Sequence, residues 1–383
     1  MLLVDDHYIF ENENLEVTLA RHDFDKTIVR LEVNGYRILF EPTKKKKQQI
    51  SIDGDLWPGI KQRITHYDLR FILGIQFGYV LDEVLEKYES QDEIFEVSVQ
   101  SGTVQYGNQW AVTHCNREGR NAIKVDLKKL YEGTPYEEIE HWKSFAIHPE
   151  KIDYSDKSIA YKSQLLVRKY MLFARILSDL LSRIVPFDID PESLVSFDQS
   201  SLDNYTIYDH EVVKPITHHV SYTEFSRNDF LIRCKNLSRF INEGIDGGIR
   251  TYRKCGEKLG LYEIAEKKWG SLKLLDLILN YLMVSHVEGF HPRRDQALVI
   301  EALKKKNQLQ IIPTLFALND LRQLDAHRKD EFNSIFNHNL ERFGIHPNSI
   351  GNNYSEAINI VYDKLRDTFS DLNMALNQWY DFD

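Results

Sequence analysis

No apolar run in this 383-residue chain approaches the roughly 20 residues needed to cross a bilayer, so no membrane-spanning helix is expected. Cysteine is scarce. Cys115, Cys234 and Cys255 lie far apart; their odd number argues against a disulfide framework, and the missing C-x-x-C pair against a structural zinc site. The opening residues, Met1-Leu2-Leu3-Val4-Asp5-Asp6, lack the basic start, longer apolar stretch and small-residue cleavage site of a secretory signal. These absences together give the expectation of a cytoplasmic protein with reduced thiols. Also missing are a G-x-S-x-G elbow, a Gly-rich phosphate loop, an H-E-x-x-H pair and a dinucleotide fingerprint, so the expected cofactor and metal complement is none. Positive charge is in deficit, at a formal net −10. That weighs against a general nucleic-acid binder, because phosphate binding needs local positive potential. The run Lys44-Lys45-Lys46-Lys47, and Lys304-Lys305-Lys306 with Arg293 and Arg294 nearby, are read as solvated faces. An enzyme that touches RNA at one small cleft is less affected by the acidic balance.

What is present fits a folded chain: 42% hydrophobic and 28% charged residues, with a length suited to two or three domains at roughly 150 residues each. The first 150 residues read as strands. Leu15-Glu16-Val17-Thr18-Leu19 alternates apolar and polar, and residues 27–33 do so in part. Asn34-Gly35 then reads as a hairpin turn before Tyr36-Arg37-Ile38-Leu39-Phe40, since Asn-Gly tolerates the positive φ of a tight turn. Further strands are predicted at 71–79, 95–99, 110–113 and 122–125, the last after a turn at Gly119, and a helix at 79–89. Short strands at this spacing suggest a sandwich-like antiparallel layer.

Around Pro135 the pattern changes, with a short amphipathic connector up to Pro149. Residues 155–184 carry Leu165, Val167, Tyr170, Leu172, Ile176 and Leu180 at helical spacing. Residues 187–219 show no clear period. Further helices are predicted at 222–242, 271–285, 294–307, 314–343 with a split near Lys329, and 354–379, with Gly244, Gly247 and Gly248 as breakers and Gly344 as a left-handed cap. The expected fold class is therefore α+β: a β-rich recognition domain at 1–150, a long helix and connector at 151–221, and a helical bundle at 222–383.

Three polar clusters read as structural. Asp188-x-Asp190, ahead of Pro191-Glu192-Ser193, reads as a helix cap. His218 and His219, adjacent on an extended segment, are expected to point to opposite faces and share no site. His291-Pro292-Arg293-Arg294-Asp295 reads as a loop before a helix.

Leu318-Asn319-Asp320-Leu321-Arg322-Gln323-Leu324-Asp325-Ala326-His327-Arg328 carries more chemistry. Thr314 is a plausible N-cap, and at 100° per residue Ala317, Leu318, Leu321 and Leu324 form an apolar face. Arg322 and His327 then flank the opposite side, about 140° apart, and converge only if that face meets its own copy across a two-fold axis. Without such a contact, Arg322 and Asp325 form an ordinary i,i+3 surface pair. An Arg, a four-residue spacer and a His within a helical bundle resembles the HEPN superfamily, over roughly residues 222–379. The resemblance implies a homodimeric, metal-independent endoribonuclease with Arg322 and His327 as the catalytic pair, of a kind common in bacterial anti-phage defence and toxin systems. A histidine near its ordinary pKa exchanges protons at neutral pH, and an arginine clamps phosphate through paired donors. Asp325 or Asn319 would orient the imidazole. RNA is the expected substrate, and the β-rich portion is expected to sense a target or protein partner. That portion, through Arg117-Glu118-Gly119, Val125-Asp126-Leu127 and His141-Trp142-Lys143-Ser144-Phe145, also resembles bacterial proteins that carry a helical C-terminal domain. The rival expectation is a non-catalytic module that dimerises or docks a protein through the bundle.

Overall fold

A computed structural model describes residues 3–10, 15–22, 28–35, 54–65, 68–69, 74–263, 269–306, 309–324 and 329–379. The chain divides into two compact units, Met1–Ile52 and Asp53–Asp383.

The first unit is an antiparallel meander of β1 (Leu3–Phe10), β2 (Leu15–His22) and β3 (Ile28–Gly35). The alternating segments are strands, as expected. The Asn34-Gly35 turn is not there: Asn34 sits opposite Glu16 and Gly35 opposite Leu15, inside the ladder. Pairing along the whole of β2 outweighs the local turn preference of two residues. The partner strand expected at Tyr36–Phe40 lies outside the described residues.

The second unit opens with two small antiparallel sheets. One runs β4-β9-β8, built from β4 (Phe77–Leu81), β8 (Cys115–Glu118) and β9 (Ala122–Asp126); the other runs β5-β6-β7, from β5 (Glu96–Val97), β6 (Val104–Tyr106) and β7 (Trp110–Val112). The segment read as one helix at 79–89 begins as β4 and turns helical only at Asp82, ending in α1 (Glu86–Glu89). Tyr88, Phe95, Tyr106 and Trp110 fill the space beside it, with Tyr88 edge-on to Phe95 at 5.1 Å and Tyr106 stacked on Trp110 at 5.6 Å. Next come α2 (Leu127–Tyr131) and α3 (Tyr136–Ser144), the expected connector.

Helices follow. Ser158 caps α4 (Ile159–Ile184), and the helix lies where it was expected. Its buried stripe, however, runs through Leu166, Tyr170, Phe173, Leu177 and Leu181; of the residues read in the sequence, Val167, Tyr170 and Leu180 are buried, while Leu165, Leu172 and Ile176 are only half-buried. Residues without a clear period hold short turns: α5 (Glu192–Val195), α6 (Gln199–Asp203) and α7 (Lys214–Thr217). A capping box between Ser226 and Asp229 starts α8 (Arg227–Gly247), which runs through Gly244 and Gly247 and yields at Gly248 to α9 (Ile249–Lys258). The expected breaks at Gly244 and Gly247 fail because helix tolerates single glycines, and both pack where a side chain would strike α5 or Ser196. Then come α10 (Ser271–Glu288), α11 (Gln296–Lys305), α12 (Pro313–Arg322), α13 (Lys329–Arg342) and α14 (Ser355–Gln378). Gly344, at φ +77°, ends α13, and Ile345 N–H returns to the Leu340 carbonyl. The core centres on α4 against α14, where Phe369 meets Tyr170 and Phe173 at 5.0 and 5.5 Å. Each such buried aromatic contributes about 1.5–3 kcal/mol. This is an α+β protein. Among the described residues no helix is long and apolar enough to cross a membrane.

Candidate functional site

The motif helix α12 places its apolar side as its sequence requires: Leu315, Ala317, Leu318 and Leu321 are buried, as is Leu324 just beyond. Thr314 is not the cap; the chain enters through Ile312 with Pro313 at the first helical position, and Thr314 Oγ1 meets Thr368 Oγ1 at 2.7 Å. Asn319 is half-buried and its Oδ1 accepts from Asn242 Nδ2 on α8 at 3.4 Å. Asp320 pairs with Arg342 of α13 at 3.1 Å. Arg322 is the last residue of α12, half-buried, with no hydrogen bond or ion pair among the described residues. The Gln323 N–H folds back to the Asn319 and Asp320 carbonyls and closes the helix. The described part of the helix thus ends at Arg322. Asp325 and His327 themselves lie outside the described residues.

A second constellation, of which the sequence reading weighed and set aside His218 and His219, lies where the small sheets meet the helices. Asp82 begins the turn after β4, Glu89 ends α1, Arg117 is on β8, His218 and His219 follow α7, and Arg233 is on α8. Glu89 accepts from the His219 backbone N–H at 2.9 Å and pairs with its Nδ1 at 2.7 Å, the two side chains being 5% and 11% exposed. Arg233, also buried, donates from Nη1 to the His218 carbonyl at 3.0 Å and to the Tyr362 hydroxyl at 3.3 Å, and from Nη2 to the His219 carbonyl at 3.1 Å. Tyr362 donates in turn to the Ile216 carbonyl at 2.5 Å. The 216–219 segment is thus held from both sides. Nearby, Arg120 joins β8–β9 to α14 by an ion pair with Glu356 and lies 4.1 Å over the Tyr222 ring.

Burial raises the Asp82 carboxyl to about 6, against the attraction of Arg117 and His219. Burial also works against ionised Glu89, but the His219 hydrogen bond and charge outweigh it, and Glu89 titrates below its ordinary value. For His219 burial opposes the cation while the Glu89 hydrogen bond and charge win, so its pKa is raised. His218, desolvated without such a partner, is lowered, and its Nε2 is buried with no hydrogen bond. Both histidines line one open cleft of about 300 Å³, together with Glu86, Ser221, Glu224, Phe225, Asp229, Ile232 and Arg233. Both border the cleft, but only His219 contacts Glu89.

Another signal for this site was Arg233. It falls on α8 between Phe230 and Leu237, at positions where an amphipathic helix presents apolar side chains to the core. Among the described residues no group of three His, Cys, Asp or Glu side chains is placed to hold a metal. Compared with protein-family models, curated proteins and solved structures, the chain matches none.

Proposed function

We propose that the chain is a metal-independent endoribonuclease of HEPN type, acting as a two-fold homodimer, with Arg322 and His327 as its centre and a role in bacterial anti-phage defence. The observation that supports it is Arg322: half-buried, the last residue of α12, and without a hydrogen bond or ion pair among the described residues. Its neighbours differ in this respect, since Asp320 and Arg342 are spent on each other. In the reaction His327 removes the ribose 2′-OH proton, the 2′ oxygen attacks phosphorus, Arg322 offsets the developing charge, and the 5′ oxygen leaves with a proton. The products are a 2′,3′-cyclic phosphate and a 5′-hydroxyl. His327→Ala is expected to lower cleavage of total tRNA and mRNA by about 10²–10⁴-fold, with wild-type activity indifferent to chelator. Equal cleavage by both forms ends the reading.

A docking module is the second reading. Val287, Leu298 and Leu309 are 63%, 48% and 63% exposed on α10, α11 and the connector after it, apolar area of the kind that partners cover. RNA cleavage by the purified chain alone would remove it.

A further inference from the structure

The cleft beside Glu89 and His219 has a cationic floor and an acidic rim. Arg233 is 8% exposed, yet its hydrogen-bond acceptors are two carbonyls and a tyrosine hydroxyl, all neutral. A buried guanidinium without an anion is costly, and closing that deficit is favourable for any ligand carrying one. The three contacts involve Nη1 and Nη2, and Nε–H makes no hydrogen bond among the described residues, which leaves a donor on the side of the guanidinium that suits a carboxylate. Glu86, Glu224 and Asp229 line the same cleft and are exposed. Asp229 is occupied with the Ser226 cap, whereas Glu86 and Glu224 have no side-chain hydrogen bond or ion pair among the described residues. A plain anion reaching Arg233 passes these carboxylates and is repelled. A molecule with an anionic end and a cationic end a few bonds apart satisfies both. Phe225, Ile232 and Pro215 supply apolar wall between them.

We propose that this cleft binds a free α-amino acid with an apolar side chain, its carboxylate on Arg233 and its ammonium on Glu86 and Glu224. The volume of about 300 Å³ lies at the small-metabolite end of ligand sites. The inference is independent of the ribonuclease reading, since it shares no residue with Arg322 or His327.

Calorimetric titration of the full chain with leucine and phenylalanine tests it, beside 4-methylpentanoic acid, which lacks the amine, and 3-methylbutylamine, which lacks the carboxylate. The amino acids are expected to bind and both analogues to fail at the same concentrations. Glu224→Gln with Glu86→Gln, at exposed positions, is expected to leave the melting temperature of the unliganded chain unchanged and weaken binding by about tenfold to a hundredfold. Absence of amino-acid binding overturns the proposal, as does equal binding of the acid analogue (a simple anion site), equal binding of the amine (a simple cation site), or undiminished affinity in the double variant.

Discussion

Asp82 and Glu89 are buried carboxylates of one segment, and they titrate in opposite directions. Glu89 has an imidazolium against it; Asp82 has cations near it but accepts no hydrogen bond on its carboxylate among the described residues. The consequences for stability have opposite signs. Glu89, depressed below 4.5, contributes stability that is present above that value and lost as pH falls through its folded pKa. His219, raised above 6.5, contributes stability that is full below that value and lost as pH rises through its folded pKa. Both shifts describe a single pairing, strongest between the two folded pKa values. Asp82 works the other way. Its folded pKa of about 6 against an ordinary 3.8 means the folded chain binds the extra proton, so stability falls as pH rises across that interval. At 1.36 kcal/mol per unit the charged form costs up to about 3 kcal/mol at neutral pH. Asp82→Asn is therefore expected to stabilise the protein by about 1–3 kcal/mol at pH 7 and to do nothing near pH 3.5. Urea denaturation at the two pH values measures this; a destabilised variant at pH 7 would mean that the carboxylate is a needed partner of Arg117 or His219.

At the scale of elements, what the sequence disclosed followed the range of the forces involved. The helix α4 was legible because each turn repeats the same apolar demand, whatever it packs against. So was the apolar side of α12. A split near Lys329 was legible too, where α13 begins after α12 ends at Arg322, although neither glycine nor proline marks the stop. Asn34-Gly35 misled because a two-residue preference was set against a full-length ladder. The cleft was invisible for a further reason: Glu89 and His219 are 130 residues apart, and each element contributes one of the groups. The hints were the adjacent His218 and His219, set aside, and an arginine on an apolar face. The β8–β9 turn offers a test of how rigidly such elements are joined. Gly119, at φ +58°, lies where a Cβ would fall 2.2 Å from the Asp153 carbonyl oxygen, which also accepts the Arg120 N–H at 2.8 Å just ahead of α4. Gly133 has φ +88° with nothing near it. Gly133→Ala should cost about 1–3 kcal/mol through backbone strain alone, and Gly119→Ala clearly more. Thermal melts of the two variants compare them directly, and equal losses would show that the turn shifts freely against the start of α4.

For the whole molecule, the question is which cut through the chain respects its packing. The meander β1–β3 forms its ladders within itself, and the Asp53–Asp383 unit holds every other described sheet and helix. Inside that unit the small sheets and the helices share polar contacts: the buried pair of Glu89 with His219, and two pairs with exposed carboxylates, Arg120 with Glu356 and Lys214 with Asp92 at 3.3 Å. Removing one member of a buried ion pair costs about 3–5 kcal/mol because its partner is left desolvated and unpaired. A chain of residues 53–383 is accordingly expected to fold, with a cooperative melt and retained leucine binding. A chain of residues 151–383 keeps the bundle's apolar core but strands the buried His219 without Glu89, and uncovers the surface on which the sheets rest. It is expected to melt at a clearly lower temperature and to lose the amino-acid site with Glu86. Circular dichroism melts of both fragments against the full chain decide it. If 151–383 is as stable as 53–383, the polar seam is a contact between independent domains rather than part of one core.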